Sequence, residues 1–314
     1  MKIIASSGHP DIATVYMADM GEENYVEFVQ SVQPPVPKRE KWVLIVSTLF
    51  GCPVGCKICD AGGYFKGKMT KEQIMSQIDF LVERDFPNRN VPVDKFKVQF
   101  ARMGEPAMNP AVLDVLEELP SRFHAPGLMP SVSTIAPASC DDFFRRLLEI
   151  KNRLYSNGRF QMQFSIHSTN PEQRDQWIPV KKWDFSAIAA YGERFVSTGD
   201  RKVTLNFALS TESEVNTDTL LRYFDPALFL IKLTPVNPTV SVTESNISSA
   251  ITEGRERGDC AVIDRLRDSG YEVLVSIGEW EENRIGSNCG QFIKTFQQSQ
   301  CSMEDSYIYQ PREN

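Results

Sequence analysis

The chain has 314 residues and a formal net charge of −7 at pH 7, with 34 Lys and Arg against 41 Asp and Glu. That balance excludes a protein whose whole surface grips nucleic acid, because phosphate contacts need cations, although a local basic patch stays open. At 41% apolar and 24% charged residues the composition is that of a globule of one large α/β domain or two small ones; no signal peptide and no apolar run of about 18 residues is present, so the expected location is cytoplasmic.

Taken in order, the first pattern is a hairpin: Ala13 to Ala18 and Tyr25 to Val32 are β-prone stretches joined by the turn-rich Asp19 to Asn24. Gln33 to Arg39, with three prolines, reads as a stiff linker. From residue 41 strands and helices alternate. Strands are expected over Trp42–Ser47, Lys95–Ala101, Ser131–Ile135, Phe160–Ile166, Val203–Leu209 and Leu228–Thr234, with a last one over Glu272–Ile277. Helices are expected over Thr70–Arg84, Ala111–Leu119, Cys140–Leu154, Phe185–Val196, Thr217–Phe224 and Asp259–Asp268. Repeated βα units build a parallel sheet with right-handed crossovers. The expected fold class is therefore α/β, a partial (βα)6 barrel with a small N-terminal β-hairpin extension. The expected division is 1–38 for hairpin and linker, 39–295 for the barrel and 296–314 for a C-terminal tail.

The loop after the first barrel strand reads Cys52-Pro-Val-Gly-Cys56-Lys-Ile-Cys59. Three cysteines spaced C-x3-C-x2-C can hold three irons of a 4Fe-4S cluster, which is usually held by four, and leave the fourth iron open to a small molecule. A structural zinc site fits less well, since zinc takes four ligands that normally come as two pairs. Seven cysteines, an odd number, argue against a disulfide framework. The spacing resembles the radical S-adenosylmethionine (SAM) superfamily, with Ile58 at a position that is usually bulky and apolar. That resemblance implies S-adenosyl-L-methionine chelated at the open iron and cleaved reductively, and an electron donor such as a flavodoxin or ferredoxin.

In parallel barrels the active site lies at the C-terminal strand ends, and the chain has a motif at most of them. After the second barrel strand comes Met103-Gly-Glu-Pro-Ala-Met-Asn109. There Gly104 lets the backbone approach a ligand and Glu105 can accept from the SAM ammonium, although Gly-Glu-Pro alone is also an ordinary turn. Ser133 offers a hydroxyl to a ribose; Ser165-Ile-His167-Ser-Thr-Asn170 and Pro235-Val-Asn237-Pro follow later strands. His167, one of three histidines, reads as a structural donor rather than a base.

Together these motifs resemble the class A radical SAM methyltransferases that modify adenine C2 or C8 in large-subunit ribosomal RNA. The resemblance runs from about residue 12 to 295 and includes Val132-Ser-Thr134, Arg174, Pro179, Trp183 and Asn288-Cys289-Gly-Gln291. It implies that Gly104, Glu105, Ser133, Ser165, His167 and Asn237 hold SAM and that Cys52, Cys56 and Cys59 hold the cluster. It also implies that Cys289 is methylated by one SAM and becomes the carbon carrier after hydrogen abstraction by a second. Glu27 matches the acid that removes the ring proton; by itself it is an ordinary hairpin carboxylate.

The match fails in three places. The family releases its adduct with a cysteine seven residues before the cluster motif, where this chain has Ile45. Cys140 and Cys301 are the candidate substitutes. The stretch before Cys289, basic in the family, reads Gly278-Glu-Trp-Glu-Glu-Asn-Arg284, and three acids oppose phosphate binding. The RNA-binding module expected ahead of the hairpin does not precede it in this sequence. Two readings follow. The first is a methyltransferase that carries a methyl-derived carbon on Cys289 to an sp2 carbon of adenine in RNA, with the base flipped or unpaired. The second is the same scaffold acting on a non-ribosomal nucleotide, heteroaromatic metabolite or peptide. A sensor without turnover is a third possibility, against which the presence of Cys289 and Glu27 counts.

Overall fold

In the computed structural model, which describes residues 1–32, 34–252, 260–277, 280–287, 293 and 312–313, the chain opens with three antiparallel strands. These are β1 (Lys2–His9), β2 (Ala13–Asp19) and β3 (Tyr25–Ser31). The expected hairpin is β2 and β3; β1 adds to it, with a sequence too mixed in polarity to announce a strand. β3 then pairs antiparallel with β4 (Lys41–Val46) through Val29 opposite Ile45, so the hairpin is joined to the first barrel strand as one sheet.

The short strands β5 (Leu49–Gly51) and β6 (Phe65–Lys68) form a two-stranded ribbon on either side of the cysteine loop. There follow α1 (Lys71–Asp85), β7 (Lys95–Phe100), α2 (Ala111–Arg122), β8 (Leu128–Thr134), α3 (Asp141–Leu154), β9 (Gln161–Ser165), α4 (Pro171–Trp177) and α5 (Phe185–Phe195). The chain continues through β10 (Val203–Leu209), α6 (Thr217–Tyr223), β11 (Phe229–Pro235), α7 (Val240–Glu244), α8 (Cys260–Asp268), β12 (Val273–Val275), α9 (Trp280–Ile285) and β13 (Arg312–Glu313). The main sheet runs β12-β11-β10-β9-β8-β7-β4-β3-β2-β1-β13, parallel from β4 to β12. Among the described residues it does not close, which is the open barrel expected. No described helix is long and apolar enough to cross a membrane.

The helices cover the outer face. Thr70 caps α1 with a reciprocal pair, its Oγ1 accepting from Gln73 N at 3.2 Å while Gln73 Oε1 accepts from Thr70 N at 2.9 Å. Ile74, Ile78 and Leu81 of that helix are fully buried, each contributing about 1.5–3 kcal/mol of transfer free energy.

The inner face is different. Parallel strands buried on both sides read as continuous apolar runs, yet β7 reads Lys-Phe-Lys-Val-Gln-Phe. Phe96, Val98 and Phe100 are fully buried in the core, while Lys95, Lys97 and Gln99 alternate with them. The alternation recurs with Gln163 and Ser165 on β9, Asn206 on β10 and Lys232 and Thr234 on β11. A concave face of that composition encloses a ligand or water rather than a packed core.

Candidate functional site

The cysteine loop is fixed by its neighbours on several sides. Cys52 N donates to Tyr64 O at 3.0 Å, and Lys57 N donates to Trp177 O at 3.0 Å at the end of α4. Gly51 has φ +78°, and a Cβ there would lie 2.2 Å from Tyr64 O, so the loop enters on a glycine. Asp60, buried beside Cys59, accepts from Val240 N at 2.9 Å and Ser241 N at 2.8 Å. It thus caps α7, the helix that follows Pro235-Val-Asn237-Pro, from outside its own segment.

The Met103–Asn109 segment is tied to the same loop. Thr48 N donates to Met103 O at 2.8 Å. Asn109 Nδ2 donates to Thr48 O at 2.7 Å and Met69 O at 2.8 Å, on the two sides of the cysteine loop. Gly104 has φ +93° and packs so closely on Leu49 that a Cβ would lie 2.4 Å from that side chain. Glu105 is buried. Its Oε1 accepts from Thr134 Oγ1 and from Ala107 N at 3.0 Å, and its Oε2 accepts from Ile135 N at 2.9 Å. Burial raises its carboxyl to about 7 against those three hydrogen bonds. Two bonds on Oε1 and one on Oε2 leave the second lone pair of Oε2 for a further donor.

Cys52, Cys56, Cys59, Gly104, Glu105, Ser133, Ser165, His167 and Asn237 all line one cavity of about 320 Å³. His167 is buried at φ +64° and its Nδ1 accepts from Ala208 N at 3.0 Å, so the neutral ring carries its proton on Nε2 and can donate. Burial, aided by the Arg174 charge, holds its pKa down at about 4, which rules out a cationic role near neutrality. Ser133 Oγ and Asn237 Oδ1 are buried without a hydrogen-bond partner. Orphaned polar atoms of this kind are uncommon in native folds. Together with the open acceptor of Glu105 and the apolar Val54, Ile58, Ile135 and Val236 beside them, they suit a ligand with amine, hydroxyl and flat apolar parts, as SAM has.

The thiols suit a cluster on similar grounds. Burial pushes the Cys52 thiol up to about 11, and Cys56 lies well above its ordinary value through burial and the neighbouring Cys59 and Cys52 sulfurs. Three thiolates packed this closely need a compensating cation. No three His, Cys, Asp or Glu side chains among the described residues converge as on a single ion. A cluster places its three ligands on three different irons, so it does not require such convergence.

Glu27 is fully buried away from the cavity lining. Its Oε2 accepts from Arg102 Nη2 at 2.6 Å and Nε at 3.2 Å, and its Oε1 accepts from Ile293 N at 2.6 Å. Burial raises its carboxyl while Arg102 pulls the other way. Arg102 also donates to Gly286 O and Ser287 O, both at 2.9 Å. Ile45 lines the cavity where the resemblance expects a thiol. Cys140 stands at the N-cap of α3, with its Sγ 3.9 Å from Ser139 Oγ, and is not in the cavity lining. Cys289 and Cys301 lie outside the described residues. Of the three acids that stand before Cys289 where the resemblance expects bases, Glu282 is buried, accepting from Ser31 Oγ at 2.9 Å, and lines the cavity.

Sequence reasoning overlooked Arg102, Asp60 and Asn206. Arg102 and Asp60 adjoin motif residues without belonging to a motif, and their partners are 75 and 180 residues away. Asn206 sits inside the strand expected over Val203–Leu209, where no motif marks it. The available signal was its inward register beside Ser165 and Lys232.

No protein-family model matches the chain. Among curated proteins it is similar to several called "Probable dual-specificity RNA methyltransferase RlmN". The one from Trichodesmium erythraeum is 24% identical over 202 residues, covering 64% of this chain and 53% of that protein. The one from Desulfitobacterium hafniense is 26% identical over 264 residues, covering 81% and 68%. The one from Synechococcus is 25% identical over 301 residues, covering 92% and 78%. The chain therefore spans about half the length of the first relative. Among solved structures, a radical SAM methyltransferase from Sphaerobacter thermophilus superposes with a TM-score of 0.68 at 20% identity, covering 92% of this chain and 80% of that one. That likeness is one of fold.

Proposed function

We propose that this chain, a divergent relative of the RlmN-named proteins on a radical SAM methyltransferase fold, is itself a radical SAM iron-sulfur methyltransferase. In this reading Cys52, Cys56 and Cys59 hold a 4Fe-4S cluster, and Glu105, Ser133, Ser165, His167 and Asn237 hold SAM with Gly104 packed behind. When bound, the cluster and SAM supply one-electron cleavage of a sulfonium bond and hence hydrogen-atom abstraction. The chain's own groups bind and orient. Glu105 accepts from the ligand ammonium, His167 donates from Nε2, and Ser133 and Asn237 satisfy ligand hydroxyl or amine groups.

Cys289 is the methyl carrier. Held by Glu105, Ser133, Ser165, His167 and Asn237, SAM would supply the methyl group that the Cys289 thiolate takes up as a thioether, with S-adenosylhomocysteine as the leaving group. The acceptor is an sp2 carbon of adenine in RNA. For Glu27, the full burial and the Arg102 pair favour a positioning part over proton removal. The observation that carries the proposal is the convergence of the three cysteines and the buried, orphaned Ser133 and Asn237 on one cavity.

The test is peptide mass spectrometry of anaerobically reconstituted protein after incubation with SAM. A gain of one methylene on the Cys289 peptide, absent in Cys289→Ala, supports the proposal. Reductive SAM cleavage with no such gain removes the methyl-carrier step. A second reading, the same chemistry on a small acceptor outside RNA, is favoured by the polar and cationic inner face of the barrel.

A further inference from the structure

The short helix α4 ends at Trp177, and that residue reaches both halves of the site from behind. Its carbonyl accepts from Lys57 N at 3.0 Å, the amide that follows Cys56 in the cysteine loop. Its indole lies 6.2 Å from the His167 imidazole between ring centroids, tilted by 34°. Trp177 is 6% exposed, and it is not among the residues that line the cavity, whereas Cys52, Cys56, Ile58 and His167 are. It therefore belongs to a second layer behind them.

That layer is apolar and separate from the main core. Val54, Ile135, Trp177 and Ile178 make one buried cluster of side chains, and Cys52, Cys56 and Ile58 pack against it. The helix that presents the indole is held by bonds that do not involve the cysteine loop. Asn170 Oδ1 accepts from Glu172 N at 3.0 Å, and Gln173 joins the segment after β10, donating from Nε2 to Glu212 O at 2.8 Å and accepting at Oε1 from Glu214 N at 3.0 Å. Arg174 Nη1 donates to Trp183 O at 2.7 Å. The loop thus rests against a support that is fixed from elsewhere.

A buried tryptophan always contributes packing, but here its neighbours are the proposed cluster ligands. The apolar shell round a metal site controls water access and local dielectric, and with them the reduction potential. Electrostatics gives the sign. An electron added to a cluster on three thiolates adds negative charge, which water stabilises and an apolar wall does not. Removing the indole lets water approach the loop and makes reduction easier.

We infer that Trp177 is a positioning residue for the iron-sulfur cluster: its carbonyl pins the loop just after Cys56, and its indole keeps water from the back of the cysteine loop, so that this side chain sets how readily the cluster takes up an electron. The inference rests on Cys52, Cys56 and Cys59 holding a cluster, as proposed above.

Every substitution at position 177 keeps the carbonyl bond to Lys57, so the variants test the indole alone. Wild type, Trp177→Phe, Trp177→Leu and Trp177→Ala are reconstituted anaerobically with iron and sulfide, and iron per chain is measured. Each is then titrated reductively in the absence of SAM, with the reduced cluster followed by electron paramagnetic resonance. At a given potential Trp177→Ala is expected to be about tenfold more reduced than wild type, an upward shift of about 59 mV for one electron. Trp177→Leu falls between, and Trp177→Phe stays within about twofold of wild type. If Trp177→Ala holds too little iron to titrate, the comparison of Trp177→Leu with Trp177→Phe decides in the same way. Equal potentials in all iron-loaded proteins, even with lowered denaturant midpoints, would leave Trp177 a packing residue and overturn the inference. A downward shift, or Trp177→Phe shifted as far as the smaller variants, overturns it as well. Failure of the wild-type protein to take up iron bears instead on the assignment of the cysteines.

Discussion

Arg102 and Glu27 form a buried ion pair at 2.6 Å, with side chains 1% and 0% exposed, and each partner also binds backbone of the C-terminal segment. Arg102 holds the carbonyls of residues 286 and 287, and Glu27 holds the amide of residue 293. Cys289 lies between these anchors in sequence. Breaking a buried pair from one side leaves an uncompensated charge, so Glu27→Gln or Arg102→Met is expected to cost about 3–5 kcal/mol of stability. The double variant Glu27→Leu with Arg102→Met is expected to recover much of that loss. Urea denaturation checks this; single variants within about 0.5 kcal/mol of wild type would show that the pair is not structural.

Asn109 joins the two sides of the cysteine loop through Thr48 O and Met69 O. Asn109→Leu keeps the bulk and strands two buried carbonyls, an expected loss of about 1–3 kcal/mol each at most. A thermal shift smaller than that of an exposed control such as Asn88→Leu contradicts the assignment.

His167 gives a pH dependence of known sign. Its folded-state pKa of about 4 lies below the ordinary 6.5, so between those values the unfolded chain binds more protons. Stability is then fully present above pH 6.5 and is lost as pH falls toward 4, by at most about 3 kcal/mol. His167→Asn keeps an acceptor for Ala208 N and tolerates the positive φ, so denaturant midpoints measured across this window are expected to fall less steeply in the variant. Parallel curves for the two proteins would remove His167 as the source.

Asp60 connects the cysteine loop to α7 by three hydrogen bonds, from Val240 N, Ser241 N and Ser241 Oγ. Asp60→Ala is expected to cost about 1 kcal/mol for the lost cap and, more tellingly, to lower iron and sulfide retained after reconstitution. Asp60→Asn, which keeps an acceptor, should retain more. Equal iron in all three proteins would place Asp60 outside the loop's support.

The strand-helix order was readable because each barrel unit carries its own period, and α1 announces itself by Thr70 and Glu72 near its start. The cysteine loop and the Gly104–Glu105 turn were readable because their spacing is local. β1 was not, since Lys2–His9 lacks alternation and is specified by its pairing with β2. Glu27 looked like an exposed hairpin carboxylate because its partners, Arg102 and the amide of residue 293, are distant in sequence. The polar inner face was present in Lys-Phe-Lys-Val-Gln-Phe all along, but sequence does not say which face of a strand the helices cover. The position of Cys289 relative to the cavity lies outside the described residues.

The central claim, that Cys52, Cys56 and Cys59 share one site with the SAM cradle, is tested most directly by 5′-deoxyadenosine formation from SAM. The protein is reconstituted anaerobically with iron and sulfide and then reduced. Wild type is expected to form it, Cys56→Ala to form none, and Asn237→Ala to form less at subsaturating SAM while retaining its iron. Undiminished product from Cys56→Ala, or an iron-loaded wild type that neither binds nor cleaves SAM, would contradict the account.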